Sequence, residues 1–282
     1  MAGNYERLIY SKESPYHSVL VYQKGSIRTL RLGEGSNAGK QSSIDLKNLN
    51  RHILEYTKLS IAGLFFVRDP KRILVIGLGG GVIPRQLHAC LPDAVIDVVD
   101  IDPDVFEAAR RFFCFETDKR LRVHLSDARL FVLQEPDRNP GQSYELIVLD
   151  AFRSENIPLH LTSREFFQQL RAILHSTGVV VANVLVGPPI FHSQLKTFRA
   201  VFGRTYVFLG RFARNAILIS PGPDVPDLAS GEAVERAALL QKRHGFDFDL
   251  ISVARQFRPR FRPNRGARIL TDESLRSMGK TR

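Results

Sequence analysis

The stretch from Arg72 to Pro103, RILVIGLGGGVIPRQLHACLPDAVIDVVDIDP, limits the possible folds more than any other part of the chain. An apolar run, Ile73–Ile76, meets a glycine cluster of Gly77, Gly79, Gly80 and Gly81, and a helix-like segment follows. A second apolar run, Val95–Val99, ends on Asp100. Strand, glycine turn, helix, strand and acidic tip, in that order, is the layout of a parallel sheet that binds a nucleoside. Glycines let the backbone approach a ligand at the helix N-terminus, and a carboxylate at the second strand tip can accept both ribose hydroxyls. Pro84 and Arg85 open the helix where a dinucleotide fold places its third glycine, which weakens a pyrophosphate-binding reading.

The same alternation continues to residue 220. Strands are predicted at Ile73–Ile76, Val95–Val99, Leu121–Leu125, Leu146–Leu149, Val179–Val184, Tyr206–Gly210 and Ala216–Ser220. Helices are predicted at Val82–Leu91, Asp104–Phe113, Ala128–Gln134, Ser163–Leu174 and Phe191–Phe202. Such alternation implies a parallel sheet covered on both faces. The short spacing Arg211–Asn215 between the last two strands allows a hairpin, so one of them runs antiparallel. A mostly parallel sheet with an antiparallel closing hairpin is a class I, S-adenosylmethionine (SAM) methyltransferase-type, Rossmann-like α/β architecture, and not that of a dinucleotide dehydrogenase.

Ahead of it, Ser18–Gln23 and Ile27–Leu32 flank Lys24-Gly25-Ser26 as a hairpin, Gly33–Ser43 reads as a loop containing Gln41, and Leu46–Val67 has mostly helical periodicity. Asp69-Pro70 breaks that helix. After residue 220, PGPDVPD is a linker and Gly231–His244 a helix. The expected organisation is a small N-terminal β unit with a linking helix (1–68), a nucleoside-binding domain (69–222), and a helical, basic C-terminal extension (223–282).

Charge is unevenly distributed. Residues 251–282 hold nine Lys/Arg against Asp272 and Glu273, which is +7 of the net +11. Within RQFRPRFRPNRGAR (255–268) arginines alternate with Phe257, Phe261 and prolines. Such a segment is either a solvated tail or a surface for an acidic or nucleic-acid partner. No apolar run nears the roughly 18 residues of a membrane span, and the first residues lack a signal-peptide core. Cys90 and Cys114 fall in helix-like segments, which suits buried thiols in a reducing compartment. The expectation is a cytoplasmic protein with no metal site.

Further strand tips add to the glycine turn. Asp102-Pro103 opens the next helix, where Asp102 reads as an N-cap. Ser126-Asp127-Ala128 follows the third strand, where Asp127 either accepts an adenine amino group or caps the helix. Asp150 ends the fourth strand on the same carboxyl edge. Each signal is weak alone, and the set converges on one crevice.

Over nearly its full length the chain resembles the spermidine-synthase-like proteins, the polyamine aminopropyltransferases. Glu13-Ser14-Pro15-Tyr16 resembles their opening strand motif. Ile76–Arg85, Val99-Asp100-Ile101-Asp102-Pro103 and Ser126-Asp127-Ala128 resemble their donor-binding motifs, and Leu270-Thr271-Asp272-Glu273 an end motif of a variant branch. Gly77–Gly81, Pro84 and Val123-His124 are also similar to the spermidine-synthase-like half of the elongation factor 1-alpha dual methyltransferase. The resemblance implies a donor site of SAM or decarboxylated SAM. That site would comprise Gln41, Gly77, Gly79, Gly80, Gly81, Asp100, Ile101, Asp127, Ala128 and Asp150. It further suggests a homodimer.

The departures are informative. The family has an Asp in the glycine turn where Gly80 stands, and a second Asp where Arg153 follows Asp150-Ala151-Phe152. The family's Tyr-His pair aligns with Asn50-Arg51, only Asp45 of the preceding acidic pair is kept, and His17 replaces a glutamine. Decarboxylated SAM ends in an ammonium and a diamine acceptor is a dication, so both need carboxylates. Intact SAM carries a carboxylate, which arginine or free backbone N–H groups favour. Methyl transfer is therefore favoured, with a substrate pocket of His17, Arg51, Arg153 and Glu155. Such a pocket suits a neutral or anionic small molecule or a protein terminus as acceptor. Glu155 would restore one carboxylate, which keeps aminopropyl transfer open, as is a catalytically silent binding protein. Direct displacement requires alignment and a proton acceptor. Asp150 is the first candidate, ahead of Glu155, His17 and His160.

Overall fold

The computed structural model describes residues 5–33, 39–152, 157–258 and 261–279. An N-terminal antiparallel sheet runs β1 (Arg7–Glu13), β2 (Ser18–Lys24), β3 (Ile27–Leu32) and β4 (Gly39–Asp45) in that order. β2 and β3 pair up to Lys24↔Ile27, leaving a two-residue turn in which Gly25 takes φ +58° as a hairpin of this length requires. β4 replaces the loop expected over Gly33–Ser43; residues 34–38 lie outside the described ones. Its serines gain strand geometry only by pairing with β3, where Thr29 and Ser43 hydroxyls meet at 3.0 Å.

The helix expected over Leu46–Val67 is much shorter. It comprises α1 (Glu55–Ser60) and a 3-10 turn, Ile61–Phe65. Asp45 Oδ1 accepts the Lys47 N–H and Asn48 Oδ1 the Asn50 N–H, both at 3.1 Å, so side chains take amides that a helix would need.

The main sheet contains β5 (Arg72–Ile76), β6 (Val95–Asp100), β7 (Leu121–Leu125), β8 (Tyr144–Leu149), β9 (Leu174–Leu185), β10 (Tyr206–Leu209), β11 (Asn215–Pro221) and β12 (Phe257–Arg258). Their order is β12-β10-β11-β9-β8-β5-β6-β7. β5 through β9 pair in parallel, and β11 pairs antiparallel with both β9 and β10, as the short final connection requires. Strands buried on both faces read as continuous apolar runs, which is why they were visible in the sequence.

The connecting helices are α2 (Val82–Cys90), α3 (Pro103–Phe112), α4 (Ala128–Arg138), α5 (Arg164–Ala172) and α6 (Phe191–Phe202), with α7 (Ser230–His244) and α8 (Leu250–Ala254) following. Period-two alternation divides the sheet's side chains. Ile73, Val75 and Val98 pack with Leu87, Ala237 and Val253, while Leu74, Ile76 and Val99 pack with Phe131, Phe166 and Leu195. A third cluster joins Val19, Val21, Leu30 and Ile44 of the N-terminal sheet to Val82, Val105 and Phe113, seating that sheet on α2 and α3.

The basic segment is only partly a solvated tail. Phe257 is buried against Tyr206 and Phe208, with β12 paired to β10, and Phe261 packs beside Phe191 and His192. Arg255, Arg258, Arg265 and Arg268 remain exposed. The chain then forms α9 (Asp272–Gly279). Cys90 is buried as expected, but Cys114 is exposed, because the chain leaves α3 at Phe112 and turns at Cys114 with φ +52°. Among the described residues no helix is long and apolar enough to cross a membrane.

Candidate active site

The tips of β5, β6, β7 and β8 present Gly77, Asp100, Asp127 and Asp150 along one edge of the sheet. At β5 the chain turns with φ +99° at Gly77, +53° at Gly79 and +71° at Gly81. A side chain at Gly77 would strike the Asp150 carbonyl, and one at Gly81 the Phe115 ring. These glycines are demanded by both dihedral angle and space.

Asp100 locks the turn. Its Oδ2 accepts the Leu78 N–H at 2.8 Å and its Oδ1 the Asp102 N–H at 3.0 Å. Burial raises its pKa, and the amide hydrogen bonds oppose that rise. Asp102 is fully buried and caps α3 through the Asp104 N–H at 2.9 Å, as expected. Its other oxygen accepts the Ser14 hydroxyl at 2.6 Å, and Ser14 also accepts the amides of Tyr16 and His17. Glu13-Ser14-Pro15-Tyr16 thus docks the N-terminal sheet behind the β6 tip. His17 lies at this junction, 3.2 Å from Asp102, instead of in a pocket with Asp150. Ile101 is half-exposed beside Asp100.

Gly80 differs from its sequence-based reading. Its N–H is not free for a ligand, since it donates to Ser42 Oγ at 2.9 Å. A Cβ there would lie 2.8 Å from Ser42 Cβ and 2.9 Å from Phe113 Cδ1. The N-terminal sheet has closed over this position.

Asp127 caps α4, its Oδ1 accepting the Arg129 and Leu130 amides at 2.9 and 3.1 Å. Its Oδ2 lies 3.1 Å from His160 Nε2, so one oxygen serves the cap and the other meets the 159–161 turn. Ala128 is the buried first residue of α4.

Asp150 is partly buried, and that burial pushes its pKa up to about 7, opposed by a hydrogen bond from Asn183 Nδ2 at 2.8 Å. Asn183 in turn accepts from Asn215 Nδ2 at 2.9 Å. The Tyr56 hydroxyl donates to the Gln41 carbonyl at 2.5 Å. Burial and the Asp150 charge raise its pKa well above the usual tyrosine value, so it stays protonated. The residue before it, Glu55, accepts the amides of Arg211, Phe212 and Ala213 at 2.8–3.0 Å and thereby fixes α1 to the β10–β11 loop.

Arg51 is not brought to this crevice. It pairs with Asp45 at 3.1 Å and is mostly exposed, so Tyr56 is the residue that this segment contributes. Arg153 and Glu155 lie outside the described residues. Sequence reasoning missed Ser42, Tyr56, Asn183 and Asn215. Asn183 had a visible signal, a lone polar residue within the apolar VVVANVLV run. A groove of about 770 Å³ near Arg199, Arg204 and Tyr206 includes none of these residues, so the strand-tip chemistry marks the site and not the size of a concavity.

Strand order gives a class I methyltransferase-type sheet, and similarity to known proteins makes the chain a SAM-dependent transferase. A family model described as Spermine/spermidine synthase domain matches residues 55–211. A polyamine aminopropyltransferase of Vibrio vulnificus is 34% identical over 222 residues, covering 78% of this chain and 74% of that protein. The eEF1A lysine and N-terminal methyltransferase of Bos taurus is 29% identical over 219 residues, covering 73% of this chain but only 31% of that protein. Among solved structures, human methyltransferase-like protein 13 in complex with SAH superposes with TM-score 0.63 at 29% identity, covering 68% of this chain and 93% of that one. A probable spermidine synthase from Corynebacterium glutamicum superposes with TM-score 0.69 over 93% of this chain and 96% of that one; at 19% identity, it supports the fold alone. The chain belongs to the spermine/spermidine synthase family.

Proposed function

We propose that this protein passes the methyl group of SAM to a nucleophile by direct displacement, with Asp150 accepting the proton. One observation carries the choice of donor. At Gly80, where the family resemblance implies an Asp that holds the ammonium of decarboxylated SAM, Ser42 and Phe113 leave no room for a Cβ. This turn cannot supply that carboxylate without moving the N-terminal sheet.

The described residues fit a nucleoside donor, since the positive-φ glycines leave close-approach backbone and Asp100 stands at the adjoining tip. Asp100 would hold the ribose, the Gly77, Gly79 and Gly81 backbone would line the cradle, and Asp127 and Ala128 would receive adenine. SAM supplies a carbon activated by its sulfonium. Asp150 supplies a carboxylate whose pKa of about 7 suits proton acceptance near neutral pH. Tyr56 keeps its proton and presents a hydroxyl at the same rim. The acceptor is a small molecule or a protein terminus. Aminopropyl transfer to a polyamine is the second reading, favoured by the 34% identity to an aminopropyltransferase. Titration calorimetry with both donors separates them. Tighter binding of SAM is expected, and tighter binding of decarboxylated SAM overturns the methyl reading.

A further inference from the structure

Two long stretches of this chain carry no carboxylate. Residues 166–223 contain no Asp or Glu but hold Arg171, Lys196, Arg199, Arg204, Arg211 and Arg214. Residues 250–271 contain none either and hold six arginines. The fold lays the second stretch along the first. The Gln256 carbonyl accepts the Leu209 amide at 3.4 Å, Arg258 pairs with Val207 across β12 and β10, and the Phe261 carbonyl accepts Arg199 Nη2 at 2.8 Å. Further on, the Asn264 amide donates to His192 Nδ1 at 3.3 Å, Lys196 donates to the Ala267 carbonyl at 2.8 Å, and the Arg268 amide donates to Ser193 Oγ at 3.1 Å. Arg255, Arg258, Arg262, Arg265 and Arg268 are exposed along this course, and none makes an ion pair with a described residue.

Like charges gathered without partners repel one another until an anion arrives. Arg199 and Arg262 show this crowding where they line the groove of about 770 Å³ beside β10: burial, and then the Arg262 charge, lower the Arg199 pKa. The bordering carboxylates are already engaged. Asp227 holds Arg204 and the Tyr206 hydroxyl, Glu232 accepts the Ala229 amide, and Asp249 caps α8. Glu55 takes the amides of Arg211, Phe212 and Ala213, which fixes the loop that presents Phe212, 93% exposed, between Arg211 and Arg214. We propose that this arginine course is a binding surface for single-stranded nucleic acid, with Phe212 stacking on an unpaired base at its β10 end. Eleven of the twelve cations in the two stretches are arginines, whose planar fork matches phosphate. Phe257 and Phe261 are tucked into the fold, so the course lacks the apolar centre that a protein partner needs. An aromatic side chain stacks on bases that are free of a duplex, which favours a single strand. This surface is independent of the donor site proposed above.

The test is fluorescence anisotropy on the full chain with a labelled uridine oligomer of about 20 nucleotides, from about 50 to 200 mM salt. Five arginines on phosphates predict a log–log salt slope of about −3.5, at about 0.7 per contact on a single strand. Arg262→Glu, Arg265→Glu and Arg268→Glu together are expected to weaken binding at least about tenfold at the lower salt and to reduce the slope to about −1.4. Phe212→Ala is expected to weaken binding about fivefold or more with the slope unchanged, because stacking releases no counterion. Three results overturn the surface as a nucleic-acid site: no binding by the wild type, a triple variant that binds like the wild type, or a polyglutamate of equal charge that displaces the oligomer as well as unlabelled oligomer does. Tighter binding of the corresponding duplex, or unchanged affinity in Phe212→Ala, overturns the single-strand assignment. All four side chains are exposed, so the denaturant midpoints are expected to match the wild type. If the triple Glu variant fails to fold, Arg→Gln at the same three positions is expected to give the same fall in slope.

Discussion

The tips of β6 and β8 both end in aspartate, and their surroundings give the two carboxylates different work. Asp100 accepts two backbone amides, from Leu78 and Asp102, and each oxygen is held by the turn it stabilises. Asp150 is equally enclosed but receives one side-chain amide, from Asn183, and its pKa rises to about 7. A carboxylate held on both oxygens by main-chain donors is a fixture that still keeps lone pairs for a ligand. One that is partly buried with a single donor is poised to exchange a proton.

Four substitutions would break or sharpen that contrast. The largest effect is expected at Asp100→Ala, which removes the proposed ribose acceptor and unlocks the glycine turn. Affinity for S-adenosylhomocysteine should fall about 100-fold, near 2.7 kcal/mol, by calorimetry. Asp150→Asn should leave that affinity within about threefold and change the pH dependence of folding. The folded-state pKa of about 7 lies above the unfolded value of about 3.9, so ionising Asp150 costs stability. The wild type loses that stability as pH rises from about 4 to 7, and the variant lacks this slope. Denaturant unfolding should therefore favour Asp150→Asn by about 2 kcal/mol near pH 5.5 and by almost nothing near pH 3. Gly80→Ala tests the turn between the two tips. Overpacking against Ser42 and Phe113 should cost about 1–2 kcal/mol, read as a lower denaturant midpoint. The smallest effect is expected from Asn183→Leu. Removing the amide donor should raise the Asp150 titration midpoint by about one unit, or about 1.4 kcal/mol, followed by carboxyl carbon NMR. A midpoint unchanged from the wild type would show that Asn183 does not tune Asp150.

The legible parts of the proposed site were those that one segment carries by itself. Gly77, Gly79, Gly81, Asp100, Asp127 and Asp150 each sit at the end of an apolar run, and a parallel sheet brings such ends to one edge. Residues that arrive from elsewhere were read poorly. Arg51 was expected in the pocket because the local motif aligned there, yet Asp45 and Asn48 hold the backbone out of helix until Glu55, and Tyr56 arrives instead. His17 was expected in the pocket and instead supports Asp102. Ser42 was assigned to a loop, and its strand exists only through pairing with β3.

By itself the sequence determined the Rossmann-like sheet, its closing hairpin and the glycine turn beside the strand-tip carboxylates, because period-two burial, glycine dihedrals and strand-tip positions are local properties. Only the tertiary structure decided what surrounds that turn. Ser42 covers Gly80, Asn183 donates to Asp150, and Asp272 pairs with Arg129. Each of these depends on a contact between residues far apart in the chain. Their energetics come from burial and from which donor reaches which oxygen, and neither is encoded at a single position.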